Sequence, residues 1–211
     1  IVGSYDEEFE DGIDFTPKKE VEEAIGWADV IVIGPGLGKS IKAKLLVKRI
    51  LKVKDKTVVI DADGLNILAE FIENKEHDLG NLGTNFILTP HLKEMSRLIE
   101  TPVATIQTDL MHYADMAKPA TIVLKDARTV VVSDEKRYIN RSGNHALAKG
   151  GSGDVLCGMI AGLLARKTEP FLAASLATYL HGLTAEEYVK NRSSSSMFAS
   201  DILDMLSTIL P

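Results

Sequence analysis

The chain has 211 residues, 45% of them hydrophobic and 26% charged, which suits one globular domain in water rather than a disordered or membrane-spanning chain. A formal charge of -6 and a pI of 5.4 supply no positive field to gather nucleic acid or an anionic membrane surface, so an anionic ligand must be captured locally, by backbone N–H groups or a few placed cations. Cys157 is the single cysteine, which excludes an intrachain disulfide and a cysteine-built zinc cluster and fits a reducing cytoplasm.

Residues 1–15 are acidic with little apolar periodicity and carry no signal-peptide pattern; they read as an arm leading into a helix over 17–25, with Pro17 in its first turn. Asp29-Val30-Ile31-Val32-Ile33-Gly34 is a short apolar run ending at glycine, the pattern of a strand buried on both faces. The turn Gly34-Pro35-Gly36-Leu37-Gly38 precedes a helix through Leu51, whose lysine-rich face over 39–54 reads as solvated surface. The alternation then repeats, with strands over 57–61, 85–89 and 121–125 and helices over 63–71, after Pro90-His91, and over 105–116. Residues 129–133 and 136–140 form a hairpin around Asp134-Glu135, and helices over 153–166, 170–189 and 199–210 complete the chain. Ser193-Ser194-Ser195-Ser196 reads as a flexible surface loop. This order predicts a three-layer α/β/α sandwich around a mainly parallel sheet, with ligands beyond the carboxyl ends of the strands.

The segment richest in chemistry is Ser142-Gly143-Asn144-His145-Ala146-Leu147-Ala148-Lys149-Gly150-Gly151-Ser152-Gly153-Asp154. Three glycines within four positions let backbone N–H groups approach an anion, and the helix that follows points its positive dipole end into the loop. Asp154 falls in the first turn, where an ionised carboxylate beside a bound phosphate can take a proton from a hydroxyl. The plain alternative is a tight turn with Asp154 as a cap. Asn144 either donates to a phosphate oxygen or forms an Asx-turn.

The stretch 143–158 resembles the signature of the NAD(P)H-hydrate dehydratases, members of the ribokinase-like superfamily. Gly34-Pro35-Gly36-Leu37-Gly38, Asp61-Ala62-Asp63-Gly64-Leu65-Asn66, and Thr89-Pro90-His91 with Glu94 resemble the same family in the same order. The resemblance implies ADP- or ATP-dependent dehydration of the S-epimer of hydrated NADH or NADPH: the ring hydroxyl is phosphorylated, phosphate is eliminated, and the reduced cofactor returns with AMP or ADP. On that reading Asp154 is the catalytic base and touches the hydrate, while Gly151, Ser152 and Gly153 hold nucleotide phosphates. Gly38, His91 and Asn66 bind the hydrated cofactor, and Asp61 and Asp63 lie near it or cap their helix. Lys125, Asp126, Ala127, Arg128 and Thr129 hold the nucleotide, although Asp126 stands where the family generally has glycine and its carboxylate would repel a phosphate unless turned away. Mg²⁺ is expected as a phosphate counter-ion, with no metal-ligand cluster visible.

Two other functions compete: a ribokinase-like kinase of a sugar, hydroxymethylpyrimidine or thiazole alcohol, and a subunit that binds nucleotide without turnover. Family members usually place a β-α-β unit before the segment matching Val30, and the expectation is that this unit is lacking here. Apolar surface left bare by its loss should seek a partner, which with the family's habit predicts a homo-oligomer, as large as a tetramer. Sedimentation of the purified protein as a monomer alone would exclude that assembly.

Overall fold

A computed structural model describes residues 19–210; the acidic arm and the helix start at Pro17 lie outside the described residues. α1 (Lys19–Trp27) leads into β1 (Val30–Ile33), followed by α2 (Ile41–Ile50), β2 (Thr57–Ile60), α3 (Ala62–Glu73), β3 (Phe86–Leu88) and α4 (Leu92–Leu98). Next come α5 (Val103–Ile106), α6 (Leu110–Asp115), β4 (Thr121–Leu124), β5 (Val130–Ser133), β6 (Lys136–Ile139), α7 (Ser152–Ala165), α8 (Pro170–Val189) and α9 (Ala199–Ile209). The strands form one sheet in chain order; β1 to β4 run parallel, and the β5–β6 hairpin extends it antiparallel.

Because side chains alternate across a strand, each apolar run serves two cores. Ile60, Leu88, Ile122 and Val130 face one layer with α2 to α6. Their neighbours Val59, Ile87, Val123 and Val131 face the other, against Leu156, Cys157, Ile160 and Leu164 of α7 and the alanines 173, 174 and 177 of α8. That is the predicted α/β/α sandwich. α8 is buried along most of its length, with Leu172, Tyr179 and Val189 exposed, and its Ala, Ser, Thr and Gly residues let the sheet, α7 and α9 approach closely.

Two expectations are corrected. The single helix over 105–116 is two, α5 and α6, because the Asp109 side chain accepts from the His112 amide at 3.1 Å and starts a new helix. The serine run is no loose loop: residues Ser194–Ser196 form a 3₁₀ turn, started by Ser193 and held at 3.1 Å from the Tyr188 hydroxyl.

At the carboxyl edge of the sheet the chain passes itself at backbone distance. A Cβ on Gly34, whose φ is +124°, would stand 1.8 Å from the Asp61 carbonyl oxygen, and one on Gly64 would be 3.0 Å from the Ile33 carbonyl. This contact presses the end of β1 onto the start of α3 and fixes where Asp61 leaves the sheet. Gly34→Ala should therefore cost at least about 3 kcal/mol in urea denaturation. Gly162→Ala, on an exposed turn of α7 with nothing within 4 Å of its Cβ, should instead gain about 0.5–1 kcal/mol.

Candidate active site

The strands deliver their polar residues to one edge. Asp61 follows β2, Thr89 and His91 follow β3, and Lys125 follows β4, bridged to His91 by an added parallel pairing. Asp61 is 2% exposed, and a carboxylate that deep needs a cation. It has one: Lys125 Nζ lies 2.7 Å from Asp61 Oδ1. The Cys157 thiol donates to Asp61 Oδ2 at 3.1 Å, and Thr89 Oγ1 lies 3.4 Å from the same sulfur. Burial, with the Asp61 charge beside it, pushes the Cys157 thiol well up, so the sulfur keeps its proton as a donor.

The glycine-rich turn sits directly over this pair. A Cβ on Gly153 would lie 3.3 Å from Lys125 Nζ and 3.5 Å from Asp61 Oδ2, so glycine here sets the distance between the first turn of α7 and the ammonium. Gly151 adopts φ +84° and precedes α7 with no side-chain cap. The Ser152 amide reaches the Lys149 carbonyl at 3.3 Å, whereas the Gly153 and Asp154 amides have no acceptor among the described residues. Two N–H groups at a helix start, with an ammonium below them, make an anion site.

The approach to the turn is fastened from behind. Gly143 donates its amide to Glu186 Oε1 at 2.8 Å and packs on Gly182, where a Cβ would strike Ser142 Oγ at 2.1 Å. Asn144 forms the Asx-turn, accepting from the Ala146 amide at 2.9 Å while its own amide donates to the Ala185 carbonyl at 3.0 Å. On the far side His145 Nε2 meets Ser194 Oγ at 2.7 Å, and Lys149 Nζ donates to the Ser195 carbonyl at 2.6 Å.

These parts surround a cleft of about 720 Å³, within the usual size of small-molecule sites. Of the residues singled out from sequence, His91, Lys125, Asp126, Ala127, Thr129, Asn144, Ser152, Gly153 and Asp154 line it. Gly38, Asn66, Arg128 and Gly151 do not. Gly38 gives its amide to Asp63 Oδ2 at 3.0 Å, which makes Asp63 a tie between loop and helix rather than a cap, and Asn66 accepts from Arg97 at 2.6 Å. His91 caps α4: its Nδ1 accepts from the Lys93 and Glu94 amides, both at 3.1 Å, and Glu94 returns a bond to the His91 amide at 2.8 Å. Burial pushes the Glu94 carboxyl up, against the pull of that amide.

Four carboxylates thus face the cleft in two states. Asp61 is spent on Lys125 and Cys157, and Glu94 on His91. Asp154 and Asp126 line the cleft with no hydrogen bond or ion pair to any described residue. Sequence reasoning missed the pairing of Asp61 with Lys125, 64 residues apart, and missed His181 altogether. The signal for His181 was a lone imidazole within a mostly uncharged helix.

A mainly parallel α/β sandwich whose glycine-rich turn opens a helix at the sheet's carboxyl edge is the ribokinase-like architecture. Arabidopsis thaliana ribokinase, solved with ribose and ATP, matches at TM-score 0.54 and 18% identity over 90% of this chain and 59% of that one, a likeness of fold alone. The chain belongs to the NAD(P)H-hydrate dehydratase family, whose profile matches residues 7–208. The bifunctional NAD(P)H-hydrate repair enzyme Nnr of Moorella thermoacetica is 41% identical over 192 residues, which are 89% of this chain and 36% of that protein. The ADP-dependent (S)-NAD(P)H-hydrate dehydratase of Neisseria meningitidis is 43% identical over 160 residues, 74% of this chain and 53% of that one. The ADP/ATP-dependent NAD(P)H-hydrate dehydratase of Bacillus subtilis, co-crystallised with ATP and Mg²⁺, matches at TM-score 0.72 and 32% identity over 85% of this chain and 63% of that one. The chain thus spans between about a third and two thirds of these relatives' lengths.

His181 titrates abnormally. Burial, with the Lys125 charge adding to it and a bond to Ser152 opposing, lowers it from the ordinary 6.5 to about 4. The unfolded chain takes up this proton first, so His181 favours the folded state above 6.5, and that contribution is lost as pH falls toward 4. The loss should reach on the order of 3 kcal/mol at full protonation. It should be seen as the difference in unfolding free energy against pH between the wild type and His181→Gln.

Proposed function

We propose that the chain carries the nucleotide-dependent dehydratase activity named for its relatives, acting on the S-epimer of hydrated NADH or NADPH with ADP or ATP as phosphoryl donor. The observation that carries this reading is the unpartnered Asp154 carboxylate, one residue beyond Gly153 and on the same cleft wall as the open amides.

The terminal phosphates lie against the Gly153 and Asp154 amides, with the Lys125 ammonium beneath. Asp61 holds that ammonium in place, so the positive field is set before the substrate arrives and costs no reorganisation as charge builds on the transferred group. Asp154 takes the proton of the ring hydroxyl, whose oxygen forms a bond to the terminal phosphorus as the bond to the nucleotide's bridging oxygen breaks. Phosphate then leaves the ring carbon with the bonding pair, a proton leaves the neighbouring carbon, and the dihydronicotinamide double bond returns. The Asp61–Cys157 arm stays protonated on sulfur and takes no part in proton transfer.

Among the described residues no group of three or more His, Cys, Asp or Glu could hold a metal ion. That fits Mg²⁺ carried mainly by phosphate oxygens and water, with Asp126 and Asp154 as the carboxylates open to it. Bound there, the ion would neutralise phosphate charge, and it would give Asp126 a function where a glycine usually stands.

The test is recovery of dihydronicotinamide absorbance from hydrated NADH or NADPH with ADP and with ATP in turn. Asp154→Asn should slow recovery by roughly 10²–10⁴-fold while ADP binds no more weakly. A phosphorylated alcohol without regenerated NADH would replace the dehydratase reading with a kinase, and ADP binding without any turnover would reduce the chain to a nucleotide-binding subunit.

A further inference from the structure

We infer that His181 is a positioning residue: from α8 its imidazole fixes the backbone of Ser152 and thereby aims the Gly153 and Asp154 amides into the cleft. The inference rests on the reading of that turn as a nucleotide-phosphate site. His181 Nε2 lies 3.1 Å from the Ser152 carbonyl oxygen and 3.2 Å from Ser152 Oγ, in a residue only 7% exposed.

The first distance settles the tautomer. A carbonyl oxygen only accepts, so Nε2 carries the proton and Nδ1 keeps the lone pair. His181 is then no base toward Ser152, and Ser152 is no activated nucleophile despite its place at a helix start beside a histidine. What remains is a directional tether from one helix to the first residue of the next.

The turn needs such a tether. α2, α4 and α8 begin with side-chain caps from Ser40, His91 and Glu169, but α7 begins at Gly151 with none. Glycines at 150, 151 and 153 leave the backbone around Ser152 with unusual freedom. Among the described residues two backbone bonds hold the turn's start: the Ser152 amide to the Lys149 carbonyl, long at 3.3 Å, and the Val155 amide to the Gly151 carbonyl at 3.1 Å; neither fixes the peptide between Ser152 and Gly153. An anion hole works only if its donors are held in place, and here the restraint comes from a neighbouring helix through the Ser152 carbonyl, which leaves the Gly153 and Asp154 amides open.

The test compares two polar substitutions. His181→Gln carries an amide nitrogen near the place of Nε2 and keeps the bond; His181→Asn is one methylene shorter and loses it. With ADP and Mg²⁺ as the probe, His181→Asn should weaken the dissociation constant roughly five- to tenfold, and His181→Gln should stay within about twofold of the wild type by the same criterion. Melting temperatures without nucleotide are read in parallel. Lower melting of both variants with wild-type ADP affinity would make the residue merely structural and overturn the inference. Should His181→Asn not fold, His181→Ala replaces it, and failure of both to fold overturns the inference equally. If the wild type itself does not bind ADP, the reading of the turn fails first; binding by the wild type and by His181→Asn alike sinks only the role of His181.

Discussion

The site depends on a charge that cannot leave the protein. Asp61 is forced below the surface by the β2–α3 junction, and in that environment its carboxylate demands a counter-charge. Lys125 supplies it from two strands away, and the resulting pair sets where the ammonium points. The glycine-rich turn is then laid over that ammonium, where even a methyl group on Gly153 would come within 3.3 Å of Lys125 Nζ. Remove the pair and the turn becomes an ordinary helix start.

Around this pair the fold divides labour between two helices. α7 brings the amides and the candidate base, whereas α8 supplies only packing and restraint: Gly182 makes room for Ser142, Ala185 anchors Asn144, Glu186 holds the Gly143 amide, and His181 reaches Ser152. The small residues that make α8 look featureless are what let it pass so near the loop. Its part is close packing and a few hydrogen bonds.

Much of the architecture was legible because the parallel strands leave unmistakable apolar runs, those of β2, β3 and β4 ending at Asp61, Thr89 and Lys125; β1 ends at Gly34 instead and leaves Val32 exposed rather than buried on both faces. The glycine-rich turn was legible because three glycines before a helix have few uses. The split between α5 and α6 was missed because apolar spacing continues across Asp109, and only its side-chain bond to His112 breaks the helix. The order within the serine run was missed because composition does not reveal Tyr188, His145 and Lys149 as partners. The Asp61–Lys125 pair lay beyond reach for a simpler reason: local patterns carry no information about which strand ends meet across a sheet.

The backbone contact between Gly34 and the start of α3 has one more consequence. Where no methyl group fits, no water molecule fits either, so the backbone seam beside Asp61 is dry. Asp61 also lines the cleft, and a ligand that fills the cleft displaces water on that side. Filling the cleft would therefore lower the local dielectric around the buried pair and strengthen its field on any anion held at the turn.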